Sequence, residues 1–174
     1  MPVARALAAA SQAAGADAIA SMAPSFFRPN SVDGLLPYLK DISSAAPETP
    51  FYFYDIPMMT GVTIDTAELV QCASEKIPGF MGVKYTNTDR AQLRRILEIN
   101  GAPDMLFGCD EELLEGWELG CRGAVGSTYN FAAPIYHRVM ASFAAGDLDK
   151  AQRWQARSLK MVETIASHGY MPVS

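Results

Sequence analysis

Side chains that bind metals are scarce in this sequence. It has two histidines, His137 and His168, which are far apart and outside any metal-ligand spacing. Metal chemistry is therefore not expected. Its three cysteines (Cys72, Cys109, Cys121) are odd in number and lack a CxxC spacing. That excludes a disulfide framework and fits reduced thiols in a cytoplasmic protein. No apolar run reaches the roughly 18 residues of a membrane span, and the first residues lack a charged-then-apolar leader pattern. Positive charge is in deficit, with 14 Lys and Arg against 19 Asp and Glu for a net −5, so neither nucleic acid nor an anionic membrane is an expected partner. Neither a GxGxxG nor a GxxxxGK[ST] loop follows any strand, which argues against a nucleotide-binding open sheet.

What is present is an alternation of helix and strand over 174 residues, 49% of them hydrophobic. That length suffices for one core burying roughly 70% of the unfolded surface. An alanine-rich helix over 3–14 stops at Gly15, and 17–22 reads as a strand ending at Ala23-Pro24. A helix over 32–44 precedes an aromatic strand over 50–54. Thr63 or Asp65 caps the next helix, whose apolar face is Leu69, Val70, Ala73 and Ile77 and which ends at Pro78-Gly79. The run Phe80-Met81-Gly82-Val83 is the third strand, followed by a helix with Leu93, Ile96 and Leu97 that ends at Asn100-Gly101. A strand over 105–108, a helix over 110–119 stopped by Gly120, a strand over 123–126 and helices near 133–144 and 147–168 complete the chain. Five short strands, each followed by a helix, predict parallel pairing with right-handed crossovers. An open doubly wound sheet and part of a (β/α)8 barrel both fit. Polar residues gathered at the strand ends favour the barrel.

Lys84 closes the third strand, where α/β enzymes keep their chemistry. An apolar setting lowers an amine's pKa, and a neutral amine attacks a carbonyl to form a Schiff base. The plain alternative is a strand-end lysine turned to solvent. Tyr54 ends the preceding strand, and a phenol beside a lysine can shuttle protons; otherwise it is a core tyrosine. In Gly108-Cys109-Asp110-Glu111, two carboxylates can accept hydrogen bonds from a polyhydroxylated substrate, or can simply favour a helix N-terminus. Beside them Cys109 reads as a small buried hydrophobe, since acidic neighbours raise a thiol's pKa. The small-residue strand opening into Gly126-Ser127-Thr128 leaves backbone and hydroxyl groups accessible to a ligand, as would a generic glycine-rich turn.

Together these segments resemble the N-acetylneuraminate lyase and dihydrodipicolinate synthase family of class I aldolases. Tyr54-Asp55-Ile56-Pro57 resembles its Tyr-Asn-Ile-Pro motif, with Thr60-Gly61-Val62 following. Gly82-Val83-Lys84-Tyr85-Thr86 is similar to the Schiff-base segment, Gly108-Cys109-Asp110-Glu111 to the Gly-x-Asp-Glu segment, and Gly126-Ser127-Thr128-Tyr129-Asn130 to the final-strand signature. The four occur in the family's order. The resemblance implies a partial (β/α)8 barrel over residues 1–145, with 146–174 beginning a C-terminal helical extension. Lys84 would form the imine and Tyr54 would shuttle protons, while Thr86, Gly108, Asp110, Glu111 and Ser127 would line the sugar site. No metal or organic cofactor is implied, because the iminium is itself the electron sink. Within the family, Met59 stands where the dihydrodipicolinate branch carries an arginine for a second carboxylate. The implied reaction is therefore cleavage of N-acetylneuraminate to N-acetylmannosamine and pyruvate, by a cytoplasmic homotetramer. The alternatives are another pyruvate-dependent aldolase or dehydratase acting on a different 2-keto sugar acid, and a non-catalytic truncated paralogue.

Two departures accompany the resemblance. Where family members often carry a relay tyrosine, this chain has Ser25-Phe26-Phe27. The match also covers only the fourth to eighth barrel strands, and the Ser/Thr loop that holds the pyruvate carboxylate has no counterpart. A fragment of a longer chain is expected.

Overall fold

The computed structural model describes residues 2–101 and 103–169. Five strands run in chain order: β1 (Ile19–Met22), β2 (Phe51–Asp55), β3 (Phe80–Tyr85), β4 (Asp104–Phe107) and β5 (Gly123–Ala124). They form one sheet in the order β1-β2-β3-β4-β5, and the β1–β2, β2–β3 and β4–β5 pairs are parallel, as the βα alternation predicts. The helices are α1 (Pro2–Ala13), α2 (Val32–Ser43), α3 (Pro57–Thr60), α4 (Thr66–Lys76), α5 (Arg90–Leu97), α6 (Leu113–Leu119), α7 (Tyr129–Ala144) and α8 (Leu148–Ser167), with a 3₁₀ turn at Asp110–Glu112. The chain divides into two compact units, Met1–Met105 and Leu106–Ser174.

In the first unit α2, α4 and α5 start at side-chain caps that absorb otherwise unpaired N–H groups. Ser31 accepts from Gly34 N at α2, Asp65 from Ala67 and Glu68 N at α4, and Asp89 from Gln92 N at α5. Asp65, rather than Thr63, is thus the cap of α4. Helical spacing turns Leu35, Leu39, Leu69, Val70, Leu93 and Ile96 inward, where they meet the fully buried Phe51, Phe53, Val83 and Tyr85. Fully burying one such side chain stabilises the fold by about 1.5–3 kcal/mol.

Alternation along β2 buries Phe51, Phe53 and Asp55 and leaves Tyr52 and Tyr54 half-buried on the other face. Strand β3 departs from simple alternation. Phe51 pairs with Phe80, but Tyr52 pairs with Gly82, so Met81 enters as an extra residue. Beyond it Phe53 pairs with Val83, Tyr54 with Lys84 and Asp55 with Tyr85. Tyr52 reaches past Gly82 to donate a 2.9 Å hydrogen bond to Asp104 Oδ2. Burial, reinforced by that bond and by the nearby Asp104 charge, pushes the Tyr52 phenol up to about 12.

In the second unit Leu113, Leu114, Tyr136, Val139 and Ala151 form the core. Strand β5 is shorter than the expected 123–126 because Gly126 is held against the Asp110 side chain. Helix α7 begins at Tyr129 but breaks at Ala132, just before Pro134, which has no N–H to give the preceding turn. The regular part therefore starts close to the expected 133. The Ile-Pro turn after β2 forms one helical turn, α3, with Pro57 at its first position.

Gly82 has no room for a side chain. A Cβ there would lie 2.0 Å from Asp104 O and 2.8 Å from Tyr52 Cε1. Gly82→Ala is expected to destabilise the protein by about 2 kcal/mol or more, since overpacking against backbone cannot relax by a rotamer change. Urea unfolding checks this, and a loss under ~0.5 kcal/mol, the ordinary surface level, would show that the crossing is loose.

Candidate active site

Lys84 and Tyr54 are register partners at the ends of β3 and β2, both half-buried, and both on the face opposite Phe53 and Val83. Lys84 Nζ lies 3.9 Å from the centroid of the Tyr54 ring. The amine rests over the ring face in a cation–π contact worth about 0.5–1 kcal/mol at a partly exposed site. A carbonyl substrate would displace that contact at small cost.

Thr86 follows two residues later and returns to the lysine's side by alternation. Its N–H donates to Asp55 O at 2.8 Å. Its hydroxyl is buried and has no hydrogen-bond partner among the described residues. Leaving such a group unpaired costs about 1–3 kcal/mol, and an orphaned hydroxyl two residues from a strand-end lysine is suited to a ligand.

Asp55 was missed as a sequence candidate. Its side chain turns to the helix side and is only 3% exposed. Its Oδ2 accepts from Thr66 Oγ1 at 2.8 Å and from Asn87 Nδ2 at 3.1 Å. Burial pushes its carboxyl above the ordinary range, and the bonds from Asn87 and Thr66 oppose that rise. Behind it Thr66 N donates to Gln92 Oε1, Gln92 Nε2 to Tyr85 Oη at 3.4 Å, and Tyr85 Oη to Asp89 O at 2.6 Å. The sequence signal available was the acid itself, standing where the resembling motif has asparagine.

In the second unit Asp110 does not sit as an open hydrogen-bond acceptor. It is buried, and its Oδ2 accepts from Thr128 N at 2.8 Å and Thr128 Oγ1 at 2.6 Å. The Thr128 hydroxyl in turn takes a hydrogen bond from Tyr136 Oη. A Cβ on Gly126 would fall 1.5 Å from Asp110 Oδ1, so glycine is required there. Gln155 of α8 is a second residue the sequence did not reveal. Its Nε2 donates to Glu111 O at 2.8 Å and to Asp110 O at 3.2 Å, and its Oε1 accepts from Leu114 N at 2.7 Å. Gly108 and Glu111 are half-buried and Ser127 is exposed. Phe26, at the place of the relay tyrosine, is exposed and packs edge-on against Phe27 at 4.9 Å. Among the described residues, no group of three or more His, Cys, Asp or Glu side chains is placed to hold a metal ion, and no helix is long and apolar enough to cross a membrane.

A model of the dihydrodipicolinate synthetase family matches residues 3–174. The chain belongs to this family. Among its curated family relatives, N-acetylneuraminate lyase A of Xenopus laevis is 42% identical over 149 residues, 86% of this chain and 49% of the relative. The N-acetylneuraminate lyase of Rattus norvegicus is 38% identical over 158 residues, 90% of this chain and 49% of the relative. The solved Proteus mirabilis N-acetylneuraminate lyase superposes with a TM-score of 0.91 at 31% identity, covering 95% of this chain and 56% of that one. The barrel of this family is thus the fold to which the five parallel strands belong. The chain spans about half the length of the curated relatives it matches.

The two buried carboxylates yield two predictions. Because the Asp55 pKa is raised by folding, stability is lost as pH rises from about 3.9 through the folded value. Asp55→Asn keeps an acceptor and removes that loss. It should melt at a higher temperature than wild type at pH 7, with the gap closing toward pH 4. A lower melting temperature at both pH values would show that the charge itself supports the fold. Thr128→Val withdraws a hydroxyl from the buried Asp110 and should cost about 1–3 kcal/mol in urea unfolding. An unchanged midpoint and slope would remove Asp110's role in holding this loop.

Proposed function

We propose that the full-length protein is a Schiff-base aldolase that cleaves N-acetylneuraminate to N-acetylmannosamine and pyruvate. The observation that carries this is the pairing of Lys84 with Tyr54 at the ends of adjacent parallel strands, supported by relatives named N-acetylneuraminate lyase.

In this mechanism the Lys84 amine, after losing a proton to solvent, adds to the keto carbon of the open-chain sugar acid, and water leaves to give an iminium. The hydroxyl on the far carbon of the bond to be broken gives up its proton by way of Tyr54, whose phenol passes its own proton on as it accepts. As that carbon–carbon bond breaks, its electron pair moves into the iminium to give an enamine and N-acetylmannosamine departs as the aldehyde. Protonation of the enamine carbon and hydrolysis then release pyruvate and return the amine. The protein supplies position and proton transfer, and the imine supplies the electron sink, so the chemistry needs no cofactor. The orphaned Thr86 hydroxyl is assigned to the substrate, and the family resemblance implies that Gly108, Glu111 and Ser127 recognise sugar hydroxyls. Asp110 holds the Ser127–Thr128 loop in place of contacting sugar. By family resemblance the enzyme is a cytoplasmic homotetramer, with α8 beginning its helical extension.

The test is borohydride trapping in the full-length protein with pyruvate, read by peptide mass. Wild type should carry the adduct on Lys84. Lys84→Ala and Lys84→Arg should both abolish it, because a guanidinium stays protonated and cannot attack a carbonyl. Tyr54→Phe should keep some adduct and lose turnover by about 10²-fold. An adduct on another lysine, with Lys84 unmodified, overturns the assignment. Trapping on Lys84 with cleavage of a different 2-keto sugar acid would keep the mechanism and replace the substrate.

A further inference from the structure

We propose that Asp55 is a positioning residue: its buried carboxylate ties the segment after Lys84 to the start of α4 and so fixes the alignment of Lys84 with Tyr54. The proposal rests on the Schiff-base assignment of Lys84.

The geometry is specific. Asp55 immediately follows Tyr54, and its register partner Tyr85 immediately follows Lys84. The Thr86 N–H donates to Asp55 O at 2.8 Å, so the ladder continues one step beyond the candidate pair. On the opposite face the carboxylate gathers Thr66 Oγ1, at the first residue of α4, and Asn87 Nδ2, from the loop after β3. Thr66 N reaches Gln92, and Gln92 reaches Tyr85, which closes a ring of contacts that returns to the Tyr85–Asp55 pair. Asp55 and Thr66 are both buried, so solvent does not compete for the bond between them. The two strand ends that carry Tyr54 and Lys84 are thus held from behind by one side chain. Lysine's long stem is flexible, so its aim depends on its backbone being stationary. A misplacement of about 1 Å at a reacting group costs on the order of 10²-fold in rate.

The acid is not required as a charge. An asparagine oxygen can accept from the same two donors, so the hydrogen-bond geometry, rather than the ionisation, does the positioning. A purely structural role predicts that variants lose stability while each folded molecule reacts normally. A positioning role predicts that folded molecules react slowly.

The experiment measures, in the full-length protein, the rate of borohydride-trapped pyruvate adduct on Lys84 per folded molecule, well below each variant's melting temperature. Asp55→Asn should trap within about 3-fold of wild type. Asp55→Ala should trap on the order of 10-fold more slowly or worse. Combined with Tyr54→Phe, its effect on turnover should be less than multiplicative, since the two residues act through one alignment. Thr66→Val, which keeps volume but removes a donor, should slow trapping in the same direction, and Thr66→Ser should restore it. If Asp55→Ala does not fold, the Thr66 pair decides the question. Wild-type trapping rates in folded Asp55→Ala, or in Thr66→Val where the alanine variant is lost, overturn the proposal while leaving the Schiff-base assignment intact. Failure of wild type to label at Lys84 removes both.

Discussion

The extra residue in β3 decides which way Lys84 points. Side chains alternate along a strand, so a count from Phe80 without interruption puts Lys84 on the buried, helix-covered side with Phe51. Met81 adds one residue against β2 and inverts everything after it. Val83 and Tyr85 then fill the core and Lys84 faces Tyr54. Gly82 is the companion requirement, because Tyr52 and the Asp104 backbone occupy the space a Cβ would need. The side of the sheet on which Lys84 meets Tyr54 therefore depends on an irregularity two to three residues earlier.

Each compact unit keeps one carboxylate inside, and each uses it to hold a loop at a strand end. Asp55 receives Thr66 and Asn87, and Asp110 receives the backbone and hydroxyl of Thr128. Loops that carry functional groups lack the ladder bonds that stiffen strands, so their position must come from side chains. A carboxylate suits this work because it accepts several hydrogen bonds at once and its donors can come from distant segments. Burial has a cost, visible in the raised Asp55 pKa. Asp110 and Asp55 thus differ from Thr86, whose buried hydroxyl has no hydrogen-bond partner among the described residues.

The element order and the strand-end positions of Tyr54 and Lys84 were legible in the sequence because they rest on local rules. Helical spacing of Leu69, Val70 and Ala73, caps such as Asp65, and breakers such as Pro78-Gly79 act over a few residues and need no distant partner. The polar ends of apolar runs marked the candidate site for the same reason, and motif order supplied the family. Less legible were the end of β5, which Gly126 sets by packing on Asp110, and the role of Asp110 itself.

By itself, then, the sequence determined the kind and order of the elements, the parallel α/β class and the lysine and tyrosine that close neighbouring strands. Only the tertiary structure decided which face Lys84 uses, that Asp110 turns inward, and that Asp55 and Gln155 organise the segments around them. The physical reason is separation along the chain. Asp55 bonds to residues 11 and 32 positions away, Asp110 to one 18 away, and Gln155 to one 44 away. No local pattern encodes such partners, because each donor and acceptor is ordinary until folding brings the two together out of water.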